Sequence, residues 1–459
     1  MQLIYINFII ENKGFFFYYI MMKRKMFLKV FLFVLLFFPL ASFTAFILKD
    51  DTNSYARVLF HEFYNQVKID YLICGASHVS HGVEADIASR KFGKTVFNSG
   101  TPSQRIDGTY AIIKQAVKSY EIKKVFLELD FAIAIDYSPL NRSGFTADYI
   151  VAEGIHDFFI KADYLLHCSC PKYYVNSFLP IGKDKLLTLN PKKVAKKLTS
   201  ILNRKYFKYQ YEDEGSEYAG KGCVLDLEEI PDGGFSNDFK VVPIPVGGIS
   251  NHWKITVEKI VDLCKENNID LILYSMPCSD FYLNERGNYD EYYSFCRDFA
   301  AEKGFSYYDF NLVRPEILSL RDSDYTDDNH LSKKGVYVWT DAFCDFFGSK
   351  YKEENALEKY FYSSYAQKMA EMPDKIFGLY MFTSGDRKSM EIIPVSNHVD
   401  VKRITYDVYA VVGNEESLLS KESIQTSITL PAGKSGKIRV RSYIDGVKQN
   451  DCTENFVSF

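Results

Sequence analysis

The chain lacks the features that mark several common protein classes. Its nine cysteines include no Cys-x-x-Cys pair, so neither a zinc ribbon nor a regular disulfide framework is encoded. Its 55 basic and 59 acidic side chains nearly balance, which argues against a general nucleic-acid binder. Hydrophobic residues make up 47% of the chain, which excludes a wholly disordered protein. The length of 459 residues leaves room for two or three domains.

One long uncharged apolar run is present, at residues 30–48. It follows the basic cluster 23–25, and its 19 residues span about 28 Å as a helix, enough for a bilayer core. The positive-inside rule places the N-terminus in the cytoplasm and the rest of the chain outside. We therefore expect a membrane anchor over residues 22–49, with a cleaved signal peptide as the alternative. Residues 1–21 are then a mis-called start that precedes the export signal.

Beyond the anchor, short apolar segments alternate with patterns of helical period. The strand-like segments end near residues 74, 97, 129, 275 and 310. Strands that alternate with helices of 10–15 residues predict a parallel sheet with helices on both faces, in an α/β domain over residues 60–350. Residues 135–250 exceed what one crossover needs, so we expect an insertion there.

Within this insertion, residues 183–208 carry nine Lys or Arg, one Asp and no Glu. Such a stretch can contact an anionic polymer or lipid headgroups. We favour the simpler interpretation, a solvated helix face.

The C-terminal region has a different pattern. A charged stretch leads into an expected linker helix over residues 351–374. Alternating segments at 389–394, 401–409, 424–430 and 437–444, separated by turn signals, then predict a β-sandwich over residues 375–459. This domain holds no evident nucleophile or metal constellation, so we interpret it as a binding or packing module.

Two short motifs carry candidate chemistry. Ser77 lies in Gly75-Ala76-Ser77-His78 directly after the first strand, and sites in open α/β sheets form at the carboxyl ends of strands. Before the last helix of the same domain, Asp327 and His330 are spaced so that a carboxylate can orient an imidazole. Each motif alone is more often a turn or a polar loop. Together they predict a Ser77–His330–Asp327 arrangement.

These motifs resemble the SGNH/GDSL hydrolase superfamily, whose first block centres on a nucleophilic serine and whose last block is Asp-x-x-His. The segments 97–100, 274–277 and 307–311 resemble its intermediate landmarks. The spacing of Ser77, Asn98 and Gln104 is similar to that of membrane-anchored bacterial members, such as the teichoic acid D-alanine-transfer protein and the alginate and peptidoglycan O-acetyltransferases. The resemblance covers residues 70–135 and 252–347, and it implies a flavodoxin-like three-layer α/β fold.

The resemblance also implies site roles. Ser77, Asp327 and His330 would be catalytic, and the N–H groups of Ser77 and Gly100, with Asn98, would form the oxyanion hole. The family's third block is missing, because residues 127–130 after the third strand contain no asparagine. We expect no cofactor and no metal, since no carboxylate pair or cysteine lies near the flanking histidines, His78 and His81, in the sequence.

The expected function is that of a single-pass protein of the bacterial cytoplasmic membrane, with an extracytoplasmic serine esterase or O-acyltransferase domain. It would act on O-acyl groups, such as acetate, of a surface polysaccharide or a small ester. A membrane-bound O-acyltransferase is the expected partner if the reaction is a transfer. The alternative is a non-catalytic scaffold of surface-polymer assembly that keeps the fold.

Overall fold

The computed structural model describes residues 2–131, 134, 145–238, 247, 249–348, 350–351 and 355–457, with 2–22 and 457 described by backbone alone. The chain forms a long N-terminal helix, an α/β domain and a C-terminal β-sandwich. The first part comprises α1 (Gln2–Leu48), α2 (Tyr55–Asn65), β1 (Tyr71–Cys74), α3 (Ser77–Ser80), α4 (Ala85–Phe92), β2 (Val96–Asn98), α5 (Ile106–Ser119), β3 (Lys124–Glu128), α6 (Thr146–Gly154), α7 (Phe158–His167), α8 (Tyr174–Phe178), α9 (Pro191–Leu202), β4 (Ser216–Gly220), β5 (Cys223–Asp226) and β6 (Ser236–Asn237).

The remaining elements complete the α/β domain and build the sandwich. They are α10 (Asn251–Glu266), β7 (Asp270–Ser275), α11 (Asp280–Arg286), α12 (Tyr289–Glu302), β8 (Tyr307–Asp309), α13 (Lys333–Phe347), α14 (Ala356–Tyr360), α15 (Tyr365–Glu371), β9 (Ile376–Thr383), β10 (Ser389–Ser396), β11 (Ile404–Val412), β12 (Glu415–Ser423), β13 (Ser427–Thr429), β14 (Ser435–Ile444) and β15 (Val447–Val457).

The helix α1 contains the expected apolar segment. Its part Lys23–Leu48 is long and apolar enough to cross a membrane, with a mean hydropathy of 2.5. Most of its side chains are exposed, as lipid-facing side chains would be, whereas Ala41 and Ala45 near its end are buried. The last turns of α1 are therefore packed against the rest of the protein.

The α/β domain is built on a five-stranded sheet of order β2-β1-β3-β7-β8, with every pairing parallel. In order of their succession along the chain this is 2-1-3-4-5, a doubly wound order. The inner strands are buried along nearly their whole length, as in sheets covered on both faces. Helix α4 packs with α13, and α5 packs with α10. The predicted parallel α/β sheet is confirmed.

The expected insertion contributes helices α6 to α9 and the hairpin β4–β5. The parts of the expected insertion at residues 135–144 and 239–246 lie outside the described residues. The short strand β6 leaves the α/β domain and pairs in parallel with β9 of the sandwich. The insertion therefore reaches both the end of α1 and the C-terminal domain.

The C-terminal domain is a sandwich of two four-stranded sheets, β13-β10-β9-β6 and β12-β11-β14-β15. Its inner faces share an apolar core that includes Ile392, Val408 and Val440. The predicted sandwich is confirmed. In place of the single linker helix expected over 351–374, the chain forms α14 and α15, because the Ser364 side chain accepts from the N–H of Gln367 and starts a new helix.

Candidate active site

A tight turn at the carboxyl end of β1 presents Ser77. Ala76 precedes α3, and Ser77 is the first residue of this helix. The N–H of a first-turn residue has no partner within its own helix, so the Ser77 amide can receive an incoming oxygen. Glycine is needed at Gly75, because a side chain there would collide with Glu128 and Val79.

His330 reaches Ser77 from a loop before α13, 253 residues later in the chain. Its Nε2 lies 2.9 Å from Ser77 Oγ, and its Nδ1 lies 2.9 and 3.1 Å from the two carboxylate oxygens of Asp327. In this order the imidazole can take the serine proton while the carboxylate fixes its tautomer. The structure brings the three predicted catalytic residues together.

The loop that carries Asp327 is braced by backbone groups. The carboxylate accepts from the N–H of Asn329 at 2.9 Å and from that of His330 at 2.7 Å. Burial alone would raise the pKa of Asp327, but the His330 imidazole and these N–H groups lower it below its usual value. On the far side of the loop, Ser279 donates through its N–H to the Asp328 carbonyl at 3.3 Å. The carboxylate is thus ionised and fixed in place.

The predicted oxyanion donors are arranged differently from the expectation. Asn98 is fully buried, and its Nδ2 donates to the carbonyls of Val79 at 2.6 Å and Val83 at 3.0 Å. Both amide hydrogens are used in this way, which leaves Asn98 none to donate to an oxyanion. Its Oδ1 accepts from the N–H of Gly100 at 3.1 Å. Of the three predicted donors, the Ser77 N–H is the one with no partner among the described residues.

Two carboxylates and a histidine meet at the carboxyl end of β3. His78 Nδ1 lies 3.3 Å from Glu128 Oε1 and 3.7 Å from Asp130 Oδ2. Burial alone would lower the pKa of His78, but Asp130 and Glu128 raise it to about 9. Burial also raises the pKa of the Glu128 carboxyl. The His78 ring centroid lies 5.1 Å from that of His330.

Geometrically, His78, Glu128 and Asp130 could also hold a metal ion, since their ligand atoms lie within 4.8 Å of one another. We expected no metal because no carboxylate pair lies near His78 along the chain, whereas β3 brings these two carboxylates to His78 through the fold.

A third histidine of the site is paired with the insertion. His81 Nδ1 lies 2.6 Å from Asp226 Oδ2 at the end of β5, and the ring centroids of His81 and His330 are 5.7 Å apart. The backbone of Asp226 also forms an isolated parallel β-bridge with that of Ser332, the cap of α13. Sequence reasoning missed Asp226 and Glu128, because no local pattern links them to Ser77.

A scan of the chain against models of protein families finds no match, and a search of curated proteins finds no relative. The resemblance to the SGNH superfamily therefore stays a prediction, and the function has to be argued from the geometry of the site.

Proposed function

We propose that this protein is a membrane-anchored serine esterase or O-acyltransferase that acts on O-acyl groups outside the cytoplasm. One observation carries the proposal: Ser77 Oγ, the His330 imidazole and the Asp327 carboxylate form a continuous hydrogen-bonded chain. Polar loops rarely place a serine, a histidine and a carboxylate in this order, which is what nucleophilic acyl transfer requires.

The reaction would proceed in two steps. His330 Nε2 takes the Ser77 proton as Oγ forms a bond to the ester carbonyl carbon, and the Ser77 N–H donates to the oxyanion. The tetrahedral intermediate collapses, the C–O bond to the leaving group breaks, and the leaving oxygen receives the proton from His330. Water or a sugar hydroxyl then gives its proton to His330 as its oxygen bonds to the acyl carbon. The bond between that carbon and Ser77 Oγ breaks, and His330 returns the proton to Oγ.

The oxyanion hole would be poor in donors, because Asn98 and Gly100 are bonded to each other. Loss of one donor costs on the order of 10²–10³ in rate, so we expect slow turnover of unspecific esters. This same observation favours the second candidate function, a scaffold that keeps the fold and has lost efficient chemistry.

We infer that α1 stays attached as the anchor. Phe46 packs edge-on against Tyr206 with ring centroids 5.6 Å apart, and Ala41 and Ala45 are buried. Cleavage after Ala45 would remove the buried Ala41 and Ala45, whereas Phe46 and its contact with Tyr206 would remain. An anchored enzyme fits a substrate held at the cell surface, such as an acylated polysaccharide, and a transfer reaction would need a membrane-bound O-acyltransferase as the acyl supplier.

The proposal is tested by trapping the acyl-enzyme. The full chain in detergent is mixed with p-nitrophenyl acetate, quenched in acid and digested, and the peptides are weighed. We expect an acetyl group on Ser77 in the wild type and in Ser80→Ala, whose hydroxyl contacts Tyr55 and the Ser77 carbonyl but no imidazole. We expect no acetylated peptide in Ser77→Ala. A folded wild type that never carries acetate would support the scaffold instead.

A further inference from the structure

The basic segment of the insertion includes an amphipathic helix with an uncovered apolar stripe. On α9, Ala195, Leu198 and Leu202 follow one another at helical spacing and are all exposed, with Leu202 82% exposed. Lys192 and Lys196 lie beside this stripe, one turn apart. A helix with apolar residues on one side and lysines on the other is typical of segments that lie in the surface of a bilayer.

The opposite side of α9 is fixed to the end of the anchor. Lys197 is buried, and its Nζ donates to the Lys49 carbonyl at 3.0 Å and pairs with Asp51 at 2.6 Å. Just before the helix, the N–H of Thr188 donates to the carbonyl of Leu48, the last residue of α1, at 2.8 Å. Helix α9 therefore lies where the apolar run ends.

This position is the membrane–water interface if α1 crosses the bilayer. The apolar run 30–48 is about as long as the hydrocarbon core is thick, so Leu48 falls near the headgroups. Nearby apolar side chains are also uncovered. Leu189 is 83% exposed, and the exposed Phe207 adjoins Tyr206, which packs on Phe46.

Beside these aromatic rings, a cavity of about 560 Å³ is lined by Phe46, Phe207 and Lys161. Burial lowers the pKa of Lys161, the Glu153 carboxylate in the same cavity wall partly offsets this, and Lys49 lowers it further. The apolar wall of this cavity, with the Lys161 ammonium beside it, can accept the upper acyl chain and the phosphate of a lipid.

We propose that α9 and its flanks lie in the outer leaflet of the membrane, with the stripe Ala195–Leu198–Leu202 at the acyl boundary and the lysines of residues 192–196 on anionic headgroups. The occupant of this face is the lipid surface itself. This replaces our sequence interpretation of residues 183–208 as a solvated helix face. The protein would then have two membrane attachments, a spanning helix and an interfacial one, which fix the orientation of the α/β domain to the bilayer.

Tryptophan fluorescence of the full chain in nanodiscs tests this. The native Trp253 and Trp339 are buried, so the fluorescence of an added surface tryptophan is obtained as the difference from the wild type. The reporter is Leu202→Trp, the matched control is Val447→Trp at an exposed position in the sandwich, and Phe31→Trp within the apolar run reports insertion of α1. Each variant is compared in phosphatidylglycerol discs with and without brominated acyl chains.

We expect bromination to remove most of the added emission of Leu202→Trp and Phe31→Trp and to leave that of Val447→Trp unchanged. Adding Lys192→Gln and Lys196→Gln to the Leu202→Trp variant should lower the quenching in these anionic discs. Quenching of Phe31→Trp without quenching of Leu202→Trp would overturn the proposal. Equal quenching of Leu202→Trp and Val447→Trp would overturn it as well.

Discussion

Replacement of Asp327 with asparagine probes the part of the site that orients the base. An asparagine oxygen can still accept from the N–H groups of Asn329 and His330, so the loop should keep its shape. The asparagine nitrogen would then face His330 Nδ1, 2.9 Å away in the wild type, and would favour the tautomer with its proton on Nε2. In that tautomer His330 cannot accept the Ser77 proton.

The expected loss follows from the exposure of the pair. An imidazolium and a carboxylate about 4 Å apart attract by about 1 kcal/mol in water and about 4 kcal/mol near a protein surface. The Asp327 side chain is 52% exposed, which places the pair between these limits. Since about 1.4 kcal/mol corresponds to a tenfold change in rate, we expect kcat to fall between about fivefold and about 700-fold.

The assay is the initial rate of p-nitrophenyl acetate hydrolysis, with KM measured alongside kcat. The matched control is Asp328→Asn, the same change one residue away, whose carboxylate does not contact the His330 ring in the described structure. We expect this control to keep most of its activity. Equal losses in the two variants, or an Asp327→Asn enzyme as fast as the wild type, would refute the proposed role of Asp327.

Three further outcomes are expected. The pKa of His78 is raised to about 9 from an unfolded value near 6.5, so its contribution to the free energy of unfolding is complete below pH 6.5 and is lost as the pH rises through about 9. Urea unfolding at pH values across this window should show that the free energy of unfolding declines. His78→Gln should make this decline smaller. Lys197→Met leaves Asp51 buried without its cation and should lower the free energy of unfolding by about 3 kcal/mol, as measured by thermal and chemical denaturation. Adding Asp51→Leu to this variant should restore part of the lost free energy of unfolding. Gly100→Ala would put a methyl group 2.6 Å from the backbone of the Ser77 turn and should reduce activity strongly, whereas Gly385→Ala, which has open space around it, should be neutral in the same assay.

Much of the α/β domain could be predicted from the sequence, because its buried strands are short apolar runs next to helices of clear period. The sandwich strands were harder. Strand β9 is buried along most of its length and does not alternate, and β12 is mostly exposed and polar. Strand β12 is held by its pairing with β11, which no local pattern encodes. The start of the strand expected at 401–409 is instead a 3₁₀ turn capped by Asp400.

The candidate site divides in the same way. Ser77 and the Asp327–His330 pair could be predicted because each follows an element whose end the sequence marks. The carboxylates that pair with His78 and His81 could not be predicted. Glu128 comes from a neighbouring strand, and Asp226 comes from the insertion, 145 residues away from its partner His81. The role of Asn98 depends on which carbonyls the turn of α3 brings to it, and only the folded turn supplies them.

The central claim is that Ser77 is an activated nucleophile, and labelling with a fluorophosphonate probe tests it most directly. The full chain in detergent is labelled beside Ser77→Ala and His330→Ala, after circular dichroism has shown that all three are folded. We expect a labelled wild type and no label in either variant. A folded wild type that takes no label, or a Ser77→Ala variant that still takes it, would show that Ser77 is not an activated nucleophile.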